Sequence, residues 1–318
     1  MSCCYSTCLR NFFISLLAIC VISFITRVIL PSFALGKLET LKKKYNSSGK
    51  AWVVITGTTS GIGYAFCHAF VKLGFNILMI SRNESKLKET KKEFEKFAGK
   101  SKIEYLCLDL SSTIVVDSFE KFVATNEVAL LVNNAGYNTE YPKLFVDNSK
   151  EEITSMLAVN CASLVLLTRI CLVSMVHRRC GGIINISSLF GQLGGPLVST
   201  YSGTKSFIDS FSLSLAGELA GTGVQVFCSL PGFVVTNMSK IRKTSMTVIS
   251  ADQCVQTVLK QFVNGTYIIA APHWTHSAIS WIMITIVPEF IRIRILTWIN
   301  RKTNRAALRK IDRMAAAK

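Results

Sequence analysis

Tyr201 and Lys205 stand four residues apart in Tyr201-Ser202-Gly203-Thr204-Lys205, a spacing that puts both side chains on one helix face, where they can converge on one ligand. Thirteen residues before the tyrosine, Ser188 follows an apolar run. Such a trio suits proton transfer to a carbonyl oxygen. A ketone receiving hydride needs a proton for the developing alkoxide, and a free phenol, with a pKa of about 10, is a poor match for neutral pH. A nearby ammonium favours the phenolate and brings that pKa down. The serine hydroxyl can hydrogen-bond the carbonyl and hold it beside the phenol. A tyrosine and a lysine at this spacing are common on surfaces, so their meaning depends on a hydride source elsewhere in the chain.

The chain offers a place for one. The run Ala51–Thr56 ends in Gly57-Thr58-Thr59-Ser60-Gly61-Ile62-Gly63 and passes into a helical pattern from Tyr64. A strand, a glycine-rich turn and a helix N-terminus make an anion site: the glycines let the backbone approach a pyrophosphate, the helix dipole favours its charge, and Gly57, Ser60, Gly61, Ile62 and Gly63 are the expected cofactor-binding residues. After the second strand, where an NAD site usually has an acidic residue for the ribose hydroxyl, stands Ser81-Arg82-Asn83. A guanidinium there suits a 2′-phosphate, which points to NADP(H); an ordinary surface cation is the other reading of Arg82.

These residues need a scaffold. Seven short β-branched runs, at 51–56, 76–81, 103–108, 129–134, 182–187, 224–229 and 266–271, alternate with helix-length segments and lack polar alternation. That predicts an α/β fold, a doubly wound parallel sheet of the Rossmann type in one domain, covered on both faces. Segment 84–98, rich in Lys and Glu at helical spacing, reads as a solvated helix. The expected organisation is a membrane anchor and basic linker over 1–49, a catalytic domain over 50–275, and a hydrophobic segment with a basic tail over 276–318.

At 318 residues, 50% hydrophobic and 17% charged, the chain is too apolar for disorder, and six prolines with 19 glycines exclude collagen-like classes. The net charge of +17 is concentrated at the ends: residues 1–50 carry +6 and 292–318 carry +8. Each basic collar adjoins an apolar stretch, which fits a membrane surface and not nucleic acid. Phe12–Leu30 has Arg27 as its single charge and is close to the ~20 residues that span a bilayer. Arg27, Lys37, Lys42, Lys43 and Lys44 follow it, which places the body in the cytoplasm. A cleavable signal ending near Ser32-Phe33-Ala34 is the alternative. Cys3, Cys4 and Cys8 resemble palmitoylation sites but would lie on the lumenal side. Sequons at Asn46, Asn83, Asn185, Asn237 and Asn264 should then stay unused. Eleven cysteines without paired short spacings read as reduced thiols and no metal site.

Over roughly 50–275 the sequence resembles the short-chain dehydrogenase/reductase family, through TGTTSGIG, NNAG at Asn133–Gly136, the Ser188–Tyr201–Lys205 spacing and the Pro231–Thr236 stretch, in that order. The resemblance implies Tyr201 as general acid/base, Lys205 as ligand of the nicotinamide ribose and depressor of the tyrosine pKa, and Ser188 as orienter of the substrate carbonyl. It further implies Asn160 as holder of a relay water, Asp109 at the adenine, Asn133 and Gly136 along the cleft, and Pro231, Gly232 and Thr236 beside the carboxamide. Without the family, Asn160 reads as a satisfied core polar residue.

Through WVVITGTTSGIG, LMISRN, YNTEYPKLF, PLVSTYSGTKSFIDSFS and VVTNMSKIRK, the sequence resembles, within the family, the membrane-bound 17β-hydroxysteroid dehydrogenase type 12 and type 3 group, which includes very-long-chain 3-oxoacyl-CoA reductases of the endoplasmic reticulum. That implies an NADPH-dependent reductase of a lipid-like ketone, on the reticulum membrane with its catalytic domain facing the cytosol. A steroid 17-ketone, a retinoid, or a silent nucleotide-binding scaffold are the alternatives, and homo-oligomerisation is left open. The chain ends in Ala315-Ala316-Ala317-Lys318, without the dilysine signal of many members. Residues 278–299 are apolar but broken by Pro288, Glu289, Arg292 and Arg294, and read either as an interfacial element or as a wall of the substrate pocket.

Overall fold

The computed structural model describes residues 2–33, 35–112 and 117–316, with side chains from Leu9 to Ala315 within those ranges. Cys3, Cys4 and Cys8 (as side chains), Ala34 and Ala317–Lys318 lie outside it, and with them the palmitoylation and cleavage-site readings.

The strands are β1 (Trp52–Thr56), β2 (Asn76–Ser81), β3 (Ile103–Cys107), β4 (Val128–Asn133), β5 (Gly181–Ile186), β6 (Val224–Ser229), β7 (Phe233–Val234), β8 (Val248–Ile249) and β9 (Ile269–Ala270). Seven form one parallel sheet in the order β3-β2-β1-β4-β5-β6-β9, and β7 with β8 makes a separate ribbon that the sequence did not reveal. The seven expected runs all recur, though the last shrinks to two residues. Their apolar continuity has a simple cause: in β1, Val53 and Ile55 enter one core layer while Trp52 and Val54 enter the other, so neither face can be polar. The order in which strands are laid down reverses between the parallel neighbours β1 and β4, and at the carboxyl edge of that reversal the fold leaves a crevice.

Helix Glu84–Glu95 is solvated as expected, burying only Leu87, Thr90 and Phe94. The basic stretch expected as a linker is instead docked. Leu41 and Tyr45 of helix Leu38–Tyr45 are buried, Tyr45 stacks on Phe262 at 5.7 Å, and Asn46 binds the backbone at Ala51 and Gly74. Among the described residues, two helices are long and apolar enough to cross a membrane by length and composition. Lys150–His177 is partly a core helix, contributing Leu167, Cys171 and Met175 to the sheet packing. Leu9–Phe33 is different: its window is only 6% buried, and it meets the body through its C-terminal part, at Ser23, Phe24, Val28 and Pro31. Asn46 and Asn185 are 2% and 0% exposed, so of the five sequons only Asn83, Asn237 and Asn264 can report topology. All eight cysteines described are free thiols.

Candidate active site

The glycine turn sits at the crevice. Gly57 and Gly61 hold φ of +72° and +59°, and a β-carbon on Gly63 would stand 2.2 Å from the Gly57 carbonyl oxygen. The turn is therefore closed to any larger residue at Gly63. Ser60 caps helix Gly61–Lys72 without a side-chain hydrogen bond, so the first-turn amides are left for a ligand, and half-buried Ile62 packs behind them. The Thr58 hydroxyl is buried without a partner among the described residues. Thr59 and Ser81 hydroxyls lie 3.5 Å apart and link the turn to the end of β2, where Arg82 is exposed and has no acidic partner within ion-pair distance among the described residues. These residues fit a dinucleotide diphosphate with an additional phosphate near Arg82. Asp109 receives the amide and hydroxyl of Ser111 on Oδ1, and those bonds, with desolvation opposing and Arg82 assisting, lower its pKa.

The expected cleft residue Asn133 faces the other way. Its amide donates to Thr168 Oγ1 and Asn185 Oδ1, both at 2.9 Å, inside the sheet. It is the next residue, Asn134, that serves the turn, donating to the Thr56 carbonyl at 2.8 Å and the Gly57 carbonyl at 3.3 Å. Thr56 answers with its hydroxyl, which accepts the amides of Asn134 and Ala135. Strand alternation explains the swap, because adjacent residues at a strand end point to opposite sides. Gly136 does line the site: a β-carbon there would lie 3.7 Å from both Lys205 Nζ and Asn160 Oδ1.

Ser188, Tyr201 and Lys205 converge. Ser188 ends the β5 edge as the cap of helix Leu189–Leu193 and accepts the Phe190 amide at 3.3 Å. Tyr201 and Lys205 lie on helix Ser199–Glu218, the ring packed against Met156 and Val198 and the ammonium 5.6 Å from the ring centroid. Lys205 Nζ donates to the Ile186 carbonyl at 2.9 Å. Burial raises the Tyr201 phenol to about 12, with a hydrogen bond from Ser188 pulling the other way, and burial lowers the Lys205 ammonium to about 8. Desolvation of the phenolate is the larger influence on Tyr201, and the Ser188 hydrogen bond opposes it. The phenol is thus held protonated, within hydrogen-bonding reach of Ser188.

Asn160 occupies a π-turn, Ala158–Ala162, in the helix beneath. Its Oδ1 accepts the Tyr137 amide at 2.7 Å, and its amide donates to the Tyr137 carbonyl at 3.0 Å and Thr204 Oγ1 at 2.9 Å. Both amide hydrogens are spent on protein, so the side chain ties the loop after β4 to the Tyr201 helix and does not itself donate to a water. Beyond β6, Thr236 covers the Gly61 turn at 3.1 Å from where a β-carbon would project, and Pro231 accepts the Leu189 amide. Gly232 donates its amide to His276 Nδ1 at 3.2 Å. Three contributors had no sequence signal of their own: His276, Thr204 and Asp209. Asp209, one turn beyond Lys205, accepts the Cys228 thiol at 3.6 Å, and burial lifts its carboxyl to about 6.

Known proteins supply an independent comparison. The short chain dehydrogenase family profile matches residues 51–246. A very-long-chain 3-oxoacyl-CoA reductase of Pyrenophora tritici-repentis is 32% identical over 302 residues, covering 91% of this chain and 87% of the relative. The protein of that name from Homo sapiens is 34% identical over 81% of this chain and 82% of its own length. Among solved structures, a 7beta-hydroxysteroid dehydrogenase superposes with a TM-score of 0.72 at 21% identity, covering 80% of this chain and 98% of that one. A short-chain dehydrogenase from Sphingobium yanoikuyae in complex with NADPH superposes with a TM-score of 0.64 at 25% identity, covering 70% and 87%.

Proposed function

The chain belongs to the short-chain dehydrogenase family, and on that premise we propose that it reduces the ketone of a very-long-chain 3-oxoacyl-CoA with NADPH, in fatty-acid elongation. The observation that carries the reading is the meeting of Ser188, Tyr201 and Lys205 beside the glycine turn at the β1/β4 reversal. A nicotinamide nucleotide bound there supplies the hydride. Gly57, Ser60, Gly61, Ile62 and Gly63 cradle its diphosphate, Arg82 holds the ribose phosphate that distinguishes NADPH, and Asp109 lies toward the adenine. Gly136, Pro231, Gly232 and Thr236 border the nicotinamide end.

Ser188 orients the substrate carbonyl, Tyr201 gives its proton to the developing alkoxide, and Lys205 fixes the nicotinamide ribose. Asn160 acts at one remove, by holding the Tyr137 loop against the Tyr201 helix. The helix Leu9–Phe33 anchors the chain in the endoplasmic reticulum membrane with its catalytic body in the cytosol, where the basic residues after the span favour it.

Purification in detergent followed by turnover with long-chain 3-oxoacyl-CoA and steroid 17-ketones, each with NADPH and NADH, tests the proposal. Acyl-CoA reduction with NADPH is expected. Steroid turnover without acyl-CoA turnover replaces the substrate, and failure with every ketone leaves only a nucleotide-binding scaffold.

A further inference from the structure

Helix Glu289–Ala316 has two faces with different chemistry. Leu296, Asn300 and Asn304, at four-residue spacing, lie on one side. Leu296 is 7% exposed and joins the cluster of Leu164, Leu189, Leu193 and Ile208, while Asn300 donates to the Pro196 carbonyl at 2.8 Å and Asn304 to the Pro142 carbonyl at 2.7 Å. Pro196 precedes Tyr201 by one short turn, and Pro142 follows the Asn134–Tyr137 loop. The inner face therefore straps the two loops that flank the reacting end.

Arg294, Arg301, Lys302, Arg305 and Arg309 line a groove on the outer face together with Trp298, and the Lys302 ammonium stands over the Trp298 ring at 5.5 Å. Helical spacing sets these residues roughly opposite Leu296 and Asn300. None of the five pairs with an Asp or Glu among the described residues. Just ahead of them the surface is apolar, with Ile284, Ile286, Phe290 and Ile291 exposed. This shoulder continues from the anchor: Trp281 packs edge-on against Phe24 at 5.0 Å and donates its indole hydrogen to Ser23 Oγ at 3.0 Å.

We propose that the C-terminal helix is a two-faced cap, its inner face holding the mouth of the active site through Asn300 and Asn304 and its outer cationic face seated on the phosphate headgroups of an anionic bilayer. A second copy of the chain would bring the same cations and repel them. A soluble polyanion would have no use for the apolar shoulder, whereas a bilayer takes both, with tryptophan at the headgroup level and arginine on phosphate. The two readings of 278–299 then hold together, as pocket wall on one face and interface on the other. A substrate dissolved in the membrane meets the mouth at the bilayer surface. That consequence rests on the proposed reaction; the seating does not.

The full chain reconstituted in nanodiscs of phosphatidylcholine alone, and with one third phosphatidylserine, tests the seating by amide exchange over 289–316. Each cation near an anionic leaflet is worth roughly fivefold in partition, so exchange should slow at least tenfold in the anionic discs and recover in high salt. Arg301→Ala/Arg305→Ala/Arg309→Ala should abolish the slowing, with Asn83, Asn237 and Asn264 environments unmoved as a check that the body is folded. Equal exchange in both discs, slowing that survives the triple substitution, or slowing produced by free coenzyme A in neutral discs overturns the proposal. The readout is exchange and not turnover, so a failed substrate panel leaves it intact.

Discussion

Helix Ser199–Glu218 and helix Glu289–Ala316 both border the reacting end, yet they are built by opposite rules. The first buries Tyr201, Ser202, Thr204 and Lys205, and ties Thr204 and Lys205 into bonds with Asn160 and Ile186. The second buries only Leu296 and Asn300 and leaves a belt of isoleucine, tryptophan and arginine in the open. Chemistry demands a dry, fixed geometry, which burial and saturated hydrogen bonds supply. Under the proposed reaction, admission of a lipid-like substrate calls for a surface that receives lipid, which exposure would supply. The reacting groups and the gate can thus change independently, and the catalytic trio says nothing of which ketone enters.

The sharpest way to break that division is at the phenol. Tyr201→Phe should lower reductase kcat by about 10²–10⁴ while NADPH binding, followed by fluorescence titration, stays nearly intact. Unchanged turnover would dissolve the contrast between a chemical helix and an admitting one. Next in size is Arg82→Glu, which removes charge-assisted bonds worth about 1.5–3 kcal/mol; KM for NADPH should rise about ten- to a hundredfold with NADH hardly affected.

A pH profile comes third. Burial lowers the Lys205 ammonium to about 8, so its charge is present below that pH and lost above it. The reduction rate should be nearly flat through neutrality and fall to about a tenth of its plateau by pH 9, and a flat profile to pH 10 would mean that Lys205 stays charged or does not matter. The smallest effect belongs to the gate. Asn304→Ala gives up one bond to Pro142, worth about 1 kcal/mol, and should raise KM for the long-chain substrate roughly fivefold with kcat unchanged. A fall in kcat instead would show that the cap positions the chemistry.

Much of this was legible in residues close along the chain. The glycine turn, the Tyr201–Lys205 pair, the seven strand runs and the apolar anchor each declare themselves within a few turns, because backbone approach, helix period and span length are local properties. The roles of single polar residues were less so. Asn133 and Asn134 are equivalent in the sequence, and strand direction alone sends one into the core and the other to the turn. Asn160 carries no sign of its partners, which lie 23 and 44 positions away.

By itself, the order of residues determined a doubly wound sheet, a diphosphate cradle and a phenol one helical turn from an amine. Tertiary structure decided the direction in which the pKa values of that pair move, since desolvation depends on Met156, Val198 and other side chains that arrive from elsewhere. It also decided which face of the last helix looks inward. A run of isoleucines and arginines is compatible with a pocket wall and with a lipid surface alike, and only the contacts at Pro142 and Pro196 assign one side to each.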